Sequence, residues 1–291
     1  AGTVTYKMAP QVRRIYDHLE GLQPGQVFLL SMDFDPASKP ELHPMAVALL
    51  RHAFRKDLRV IGMTLWVTGT GMAADLFADV AAAADKTRGT DYVFLGYSPG
   101  GANVILNMGQ DLLATFRTDH FGEKTASLPA LRGVQSLRNV DYAVSLAAGS
   151  PGLESWYVFG KEKYGFELGG GATAVSAPGL YPLLQTGQIN GLMGGLRGAA
   201  EYETLVRLPG KATAGMDAQS ATHFLIILLI LACNAGAVLT RRAGCELWVK
   251  HENHTPIGAF KIRAGLVYID WLKRAEPGVT GVLAATRGNH G

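Results

Sequence analysis

Lys261 is the residue of this sequence whose type and position most directly suggest covalent chemistry. It follows a Thr-Pro-Ile-Gly turn at residues 255–258 and stands near the start of a predicted helix at residues 259–274. The positive end of a helix lowers the pKa of a nearby amine, because it favours the neutral form. A neutral lysine amine can form an imine with an aldehyde. The pattern predicts a nucleophilic lysine at a helix mouth; the plainer alternative is a surface lysine that opens an ordinary helix.

A Gly-x-Ser-x-Gly pattern is centred on Ser98, after a predicted strand and before a predicted helix. This is the setting of a hydrolase nucleophile, and Asp141 and His223 follow in an order that could complete a catalytic triad. Pro99 argues against this function, because the residue after such a serine donates its backbone N–H to the oxyanion and proline has none. We therefore interpret the pattern as a glycine–proline turn.

Two carboxylates, Asp33 and Asp35, stand at the predicted end of a strand. There they could serve phosphoryl transfer, as in enzymes of the haloacid-dehalogenase type, or hold Mg²⁺. Pro36 follows directly, and no later lysine followed by an acidic pair completes that pattern. The favoured interpretation is helix capping and hydrogen bonding within the loop.

Two glycine-rich patterns, at residues 69–74 and 169–174, could cradle a phosphate at a helix N-terminus. A dinucleotide site would normally have an acidic residue at the end of the next strand, and neither pattern has one. Close packing of backbone is the favoured interpretation of both.

His251 and His254 are spaced by three residues rather than the four of a zinc-protease helix, so we predict no metal site.

Two longer phrases carry a family resemblance. They are Lys250-His-Glu-Asn-His-Thr-Pro-Ile-Gly-Ala-Phe-Lys-Ile-Arg and, 25 residues after Lys261, Thr286-Arg-Gly-Asn-His-Gly. With them, residues 243–291 resemble the start of the fold-type II pyridoxal-phosphate enzymes, the threonine/serine dehydratase group. The resemblance implies a short βαβ segment, pyridoxal 5'-phosphate as the cofactor and a small amino acid as the substrate.

The same resemblance assigns roles to four residues. Lys261 would be the Schiff-base lysine and Asn289 the partner of the cofactor's 3-hydroxyl, while Thr255 and Phe260 would line the pocket. In that family the glycine-rich loop that grips the phosphate lies well downstream of the lysine. We therefore expect little or no dehydratase turnover from residues 1–291.

An apolar run at residues 221–239 separates this segment from the rest of the chain. As a helix it would span roughly 28 Å, close to the hydrocarbon thickness of a bilayer. The alternative is a buried helix or central strand, because Asn234 and Gly236 interrupt the run. If it is a single span, Arg241 and Arg242 place the C-terminal side in the cytoplasm and residues 1–220 on the far side; otherwise the chain would be cytoplasmic.

Apolar runs and amphipathic helices alternate through residues 1–220, which predicts a mostly parallel sheet with helices on both faces, an α/β fold. The predicted strands lie at residues 26–35, 58–67, 90–96 and 141–148, followed by a glycine-rich strand and turn at 166–179. The predicted helices lie at 41–57, 72–86, 102–116, 151–164 and from 181. Phrases at residues 91–97, 159–165, 185–188 and 194–203 resemble those of an uncharacterised family of bacterial membrane-associated proteins, and the resemblance extends over residues 26–240. That resemblance implies a membrane anchor and no known activity.

The net charge of +3, with 18% charged residues and no basic tract, gives no reason to expect nucleic acid as a partner. Three domains are expected: an α/β domain (1–220), a hydrophobic transmembrane helix (221–242) and the pyridoxal-phosphate-enzyme-like segment (243–291). We interpret the chain as an incomplete lyase module joined to a membrane-tethered domain. The alternative is a non-enzymatic, membrane-associated protein that binds a ligand or partner and carries an inert tail; homo-oligomerisation is left open.

Overall fold

The computed structural model describes residues 8–243 and Arg274. The chain divides into two compact units, Ala1–Ala221 and Thr222–Gly291. The predicted βαβ segment lies outside the described residues. The described architecture therefore consists of the first unit and of one long helix that continues beyond it.

The first unit is built on a six-stranded parallel sheet with the order β3-β2-β1-β4-β5-β6. Every position of β1 and of β4 is buried, as expected for parallel strands covered on both faces. This confirms the α/β prediction. The strands are β1 (Val27–Asp33), β2 (Arg59–Thr64), β3 (Tyr92–Tyr97), β4 (Tyr142–Ala147), β5 (Glu167–Ala172) and β6 (Gly191–Gly194).

Helices cover both faces of the sheet. The bounds are α1 (Pro10–Gly21), α2 (Lys39–Arg55), α3 (Thr70–Ala83), α4 (Ala102–Gln110), α5 (Leu112–Thr115), α6 (Leu153–Trp156), α7 (Glu162–Tyr164), α8 (Ala177–Gln185) and α9 (Gly195–Leu205). A π-helical turn, Tyr157–Lys161, joins α6 to α7. Helices α1, α2, α3 and α9 share one apolar core, while α4, α6 and α8 share the other. Alternate β1 residues enter the two cores, Phe28 the first and Leu29 the second.

The structure corrects the predicted helix at residues 102–116. The backbone leaves the helix at Asp111, where φ is −153°, and α5 begins directly after it. The Asp111 carboxylate accepts a hydrogen bond of 2.8 Å from the Ala114 N–H and so caps the new helix. The sequence predicts a single helix there because its apolar periodicity continues across Asp111.

Three elements, α1, β6 and α9, have no counterpart among the predicted strands and helices. Strand β6 is only four residues long and contains two glycines, which weakens any periodic signal. Its Gly191 is needed for packing, because a Cβ there would lie 2.5 Å from the Gln11 carbonyl oxygen of α1. The close approach of α1 to the edge of the sheet therefore depends on Gly191, a residue type that in the sequence indicates a loop.

The long helix α10, Lys211–Ala243, contains the apolar run. Among the described residues it is the one helix long and apolar enough to cross a membrane, with a mean hydropathy of 1.6 over an 18-residue window within Lys211–Ala235. None of its apolar window is buried, and the eight residues from Phe224 to Leu231 are all exposed. The helix is therefore confirmed, and the alternative of a buried helix or central strand is not what the structure shows.

Helix α10 begins at residue 211, earlier than the predicted start at 221. Glu203, which is buried, accepts hydrogen bonds from the backbone N–H groups of Gly210, Ala212 and Thr213 and from the Thr213 hydroxyl. These N–H groups have no partner inside the helix, so the carboxylate satisfies its first turn. The polar residues before the apolar run join the helix for this reason.

Candidate functional site at the carboxyl edge of the sheet

The carboxyl edge of the sheet is where this fold would hold a ligand. Strand β1 continues to β2 on one side, and β4 lies on the other side, so the strand order reverses between β1 and β4. Open α/β sheets bind their ligands in the crevice outside the strand ends at such a reversal. The residues that follow β1, β2 and β4 are therefore the candidates for a binding site.

Asp33, the last residue of β1, is fully buried at this reversal. Its Oδ1 accepts hydrogen bonds from the Ser31 hydroxyl (2.7 Å) and the Leu65 N–H (2.8 Å). Its Oδ2 accepts from the Ser145 hydroxyl (3.1 Å) and the Trp156 indole N–H (3.2 Å). Burial raises the pKa of Asp33 to about 6, although these four donors favour the ionised form.

Two tryptophans close the crevice above this carboxylate. Trp156 is fully buried beside Asp33. Trp66, in the loop after β2, donates its indole N–H to the Pro151 carbonyl in the loop after β4, at 2.8 Å. A Cβ on Gly149 of that second loop would lie 3.5 Å from the Trp66 ring. The two loops are tied together across the end of β1, so Asp33 holds them in place and does not face solvent.

Asp35 performs the capping that was predicted for it. Its carboxylate accepts hydrogen bonds from the N–H groups of Ala37 and Ser38 at 3.1 and 3.3 Å, in a short 3₁₀ turn before α2. Phe34, between the two carboxylates, is buried in the core, and Asp33 and Asp35 have separate sets of partners. Loop hydrogen bonding is confirmed for both residues, and helix capping for Asp35.

A small open pocket remains beside the closed crevice, with a volume of about 190 Å³. Ser150 and Glu154 line it on the β4 side, and Ser176 and Gly179 line it on the β5 side. Helices α6 and α8 both begin at this pocket, and neither has a side chain that caps its first turn. The hydroxyls of Ser150 and Ser176 suit a small polar group, whereas the first N–H groups of α8, at Ala177 and Gly179, already donate to the carbonyls of Thr173 and Ser176. Sequence reasoning missed this pocket, although Gly-Ser-Pro-Gly at residues 149–152 after a strand was a signal for it.

Ser98 and Asp141 do not form part of one triad. Ser98 follows the carboxyl end of β3, whereas Asp141 precedes the amino end of β4. The Asp141 carboxylate accepts hydrogen bonds from the Val27 N–H and from the Gln26 side-chain amide, both at 2.7 Å. The glycine–proline turn is confirmed after Ser98, where the chain bends through Pro99 before α4.

Close packing, as predicted, explains Gly69 and the glycines at residues 169–171, whereas Gly71 has open space around it. A Cβ on Gly69 would lie 2.3 Å from the Phe34 carbonyl oxygen, and one on Gly170 would lie 2.2 Å from the Leu153 side chain. Gly169 and Gly171 are equally restricted, by Tyr142 and Leu146. In residues 8–243 and at Arg274, no group of three acidic, histidine or cysteine side chains could hold a metal ion.

The four residues assigned by family resemblance, Lys261, Asn289, Thr255 and Phe260, lie outside the described residues. For them the comparison with known families provides the information. A model of the family described as pyridoxal-phosphate dependent enzymes matches residues 236–291, about a fifth of the chain. A search of curated proteins finds no match. The C-terminal segment therefore resembles the pyridoxal-phosphate dependent enzymes.

Proposed function

We propose that residues 243–291 are the lysine-bearing part of a lyase module of the threonine/serine dehydratase type, joined to a membrane-tethered α/β domain. The observation that carries this proposal is the family match over residues 236–291, which includes both phrases that the sequence shares with that group. Within it, Lys261 would hold pyridoxal 5'-phosphate and Asn289 would face the 3-hydroxyl of the cofactor. Thr255 and Phe260 would line the pocket beside a small amino-acid substrate.

The cofactor and the protein would contribute differently to the reaction. When bound, pyridoxal phosphate withdraws electrons from the substrate, and the protein supplies binding and orientation. Residues 243–291 contribute the amine and one hydrogen-bonding side chain to this arrangement. We therefore propose that Lys261 binds pyridoxal phosphate in preference to the other lysines, which can be tested without measuring turnover.

Cofactor capture is tested by reductive trapping. The full chain, in a neutral detergent, is incubated with pyridoxal phosphate, reduced with borohydride, digested and mapped by mass spectrometry. We expect the label on Lys261 and a visible absorbance band before reduction. Lys261→Ala should lose both, whereas the matched control Lys250→Ala should keep both. A label spread evenly over Lys250, Lys261 and Lys273, or one that persists in Lys261→Ala, contradicts the proposal.

Membrane attachment is supported by α10, whose apolar residues from Phe224 to Leu231 are all exposed. With Arg241 and Arg242 near the C-terminal end of α10, the positive-inside rule favours a cytoplasmic C-terminal segment, where the cofactor is made, and an α/β domain on the other side. An impermeant thiol reagent tests this orientation. In intact cells it should label a cysteine placed at the exposed Ser127 and spare Cys245. The reverse pattern contradicts the orientation, and shielding of both contradicts the span.

The second candidate function is ligand binding by the α/β domain without catalysis. The pocket of about 190 Å³ between the starts of α6 and α8 favours it, because the hydroxyls of Ser150 and Ser176 line a space large enough for a small polar group. On this proposal the C-terminal segment is inert and Lys261 reacts no faster than other lysines. The trapping experiment with its Lys250→Ala control therefore distinguishes the two functions.

A further inference from the structure

A second cavity of the α/β unit, away from the carboxyl edge of the sheet, is rich in arginine. It has a volume of about 470 Å³ and lies between α1 and the C-terminal ends of α2 and α9. Three guanidinium groups from three separate segments line it, and none of the described residues that line it is acidic. The lining residues are Arg13, Tyr16, Arg55, Thr204, Leu205 and Arg207; we call this space the arginine cavity.

Arg207 occupies a backbone position that suits arginine poorly. It follows α9 with φ of 57°, the left-handed region. The Arg207 N–H bonds the Thr204 carbonyl, and the Leu208 N–H bonds the Glu203 carbonyl, the pattern of a Schellman helix end. Glycine is the usual residue there, because a side chain in this conformation costs roughly 1 kcal/mol. Arg207 thus adopts an unfavourable backbone conformation although its side chain makes no hydrogen bond or ion pair within the described structure.

Two other helix ends show the contrast. Helices α2 and α3 also end in a left-handed residue that is not glycine, and in both cases that residue is aspartate, Asp57 and Asp85. Aspartate tolerates the left-handed region, because its short polar side chain can bond locally. Arginine has no such local advantage. A functional use for the Arg207 guanidinium explains its presence better than the turn does.

The other two arginines differ in how firmly they are held. Arg55 donates to the Val206 carbonyl at 2.9 Å and to the Glu20 carboxylate at 3.2 Å, so its guanidinium is fixed at the cavity wall. Arg13 has only a 3.7 Å ion pair with Asp17, and both side chains are more than half exposed. Such a pair contributes little and leaves Arg13 available to a ligand.

The aromatic side of the cavity is also fixed. The Tyr16 ring stacks on the buried His52 ring, with centroids 4.8 Å apart and planes inclined at 27°. His52 is in turn held by the Tyr202 hydroxyl, 2.8 Å from Nδ1, and by Glu20, 2.7 Å from Nε2. The cavity therefore has an ordered aromatic wall beside its cationic groups, so a ligand would cost little reorganisation on binding.

We propose that the arginine cavity binds a phosphate ester or diphosphate, with Arg13 and Arg207 as the groups that take hold of it. Guanidinium groups match the paired oxygens of phosphate and bind them with charge-assisted hydrogen bonds. The volume lies within the range of small-molecule sites and leaves room for the rest of the ligand beside Tyr16. This site uses no residue of the pyridoxal-phosphate-enzyme-like segment and does not depend on its function.

Calorimetric titration of the full chain in a neutral detergent at low salt tests the proposal. The probes are inorganic pyrophosphate and dihexanoyl phosphatidic acid, which represent a soluble phosphate and a lipid headgroup. We expect Arg13→Gln and Arg207→Gly each to weaken the preferred probe about tenfold. Arg14→Gln, on the same helix but outside the cavity, should change affinity less than about twofold. The probe that binds more tightly identifies the source of the ligand.

Arg207→Gly separates binding from folding. Because glycine suits the left-handed position, this variant should unfold at the same temperature as the parent chain or a higher one while losing affinity. Three results would overturn the proposal: no binding of either probe, equal weakening by Arg14→Gln, or a lower unfolding temperature in Arg207→Gly. The last result would show that the guanidinium supports the fold, as a counter-charge to the C-terminal ends of α2 and α9.

Discussion

The indole N–H of Trp156 donates a hydrogen bond of 3.2 Å to the carboxylate of Asp33, although the two residues are 123 positions apart. This bond joins the end of α6 to the end of β1 at the reversal of strand order. The same carboxylate receives the Leu65 N–H from the loop after β2. The place where open α/β sheets admit a ligand is in this protein occupied by a buried structural carboxylate.

Asp33→Asn should change how stability depends on pH. Burial raises the folded-state pKa of Asp33 from 3.8 to about 6, so ionisation favours the unfolded chain. The stability contributed by the protonated group is complete below about pH 4 and is lost as the pH rises through 6. The difference in unfolding free energy between Asp33→Asn and the parent chain should therefore shift by about 3 kcal/mol in favour of the variant between pH 4 and pH 7.5.

Urea unfolding at a series of pH values measures that difference. Added to this pH-dependent shift, a pH-independent loss of about 1–3 kcal/mol is expected in Asp33→Asn, because an amide N–H would face the Trp156 N–H. Val67→Ala, which changes an exposed side chain that does not titrate, serves as the control and should leave the pH profile unchanged. A pH-independent difference for Asp33→Asn would contradict the raised pKa.

His52 should make the folded protein less stable as the pH falls, whereas Asp33 makes it less stable as the pH rises. Burial lowers the pKa of His52 to about 4, although its hydrogen bond to Glu20 acts to raise it. The unfolded chain takes up this proton near pH 6.5, so stability is lost as the pH falls from 6.5 to 4. In His52→Asn that acid loss should be smaller by about 3 kcal/mol. Thermal unfolding at pH 4.5 and 7.5 provides the measurement, and the exposed Val175, which does not titrate, should not alter the profile when changed to Ala.

The two glycines of the Gly69-x-Gly71 pattern should respond in opposite ways to alanine. Gly69→Ala places a Cβ 2.3 Å from the Phe34 carbonyl oxygen, which is backbone and cannot turn away, so we expect a loss of about 2 kcal/mol or more. Gly71→Ala meets nothing within 4 Å and lies inside α3, where alanine favours the helix by up to about 1 kcal/mol. Denaturant unfolding measures both. Equal effects would contradict the interpretation of this pattern as packing.

Glu203→Gln should loosen the beginning of α10. The carboxylate accepts from three backbone N–H groups, and a neutral amide would lose the charge-assisted part of these bonds. We expect a loss of about 1–2 kcal/mol and faster hydrogen exchange at residues 210–214. Glu154→Gln, at an exposed position, is the matched control. Unchanged exchange at those residues would show that Glu203 does not cap the helix.

Apolar pattern alone was enough to predict the α/β class and the order of strands and helices from residue 26 to residue 185. Continuous apolar runs indicate strands buried on both faces, and this holds for β1 through β4. The long apolar helix followed from its composition in the same way. The local meaning of Pro99 and of Asp35 could also be inferred, because the absence of an N–H and the capping preference are properties of single residues.

Tertiary structure decided what these residues do together. The closure of the crevice depends on Trp66 and Trp156 meeting loops that are distant in sequence. The early start of α10 depends on one buried glutamate in the preceding helix. The arginine cavity gathers side chains from α1, α2 and the end of α9, none of which forms a local pattern.

The sequence by itself determined the fold class, the apolar helix and the family resemblance of the C-terminal segment, because each depends on the order of residue types along the chain. The structure alone decided that Asp33 is sealed off, that a small pocket remains beside it, and that Arg13, Arg55 and Arg207 share one cavity. The physical reason is that burial and charge clustering depend on which segments pack against each other, and hydrophobic periodicity does not specify those neighbours.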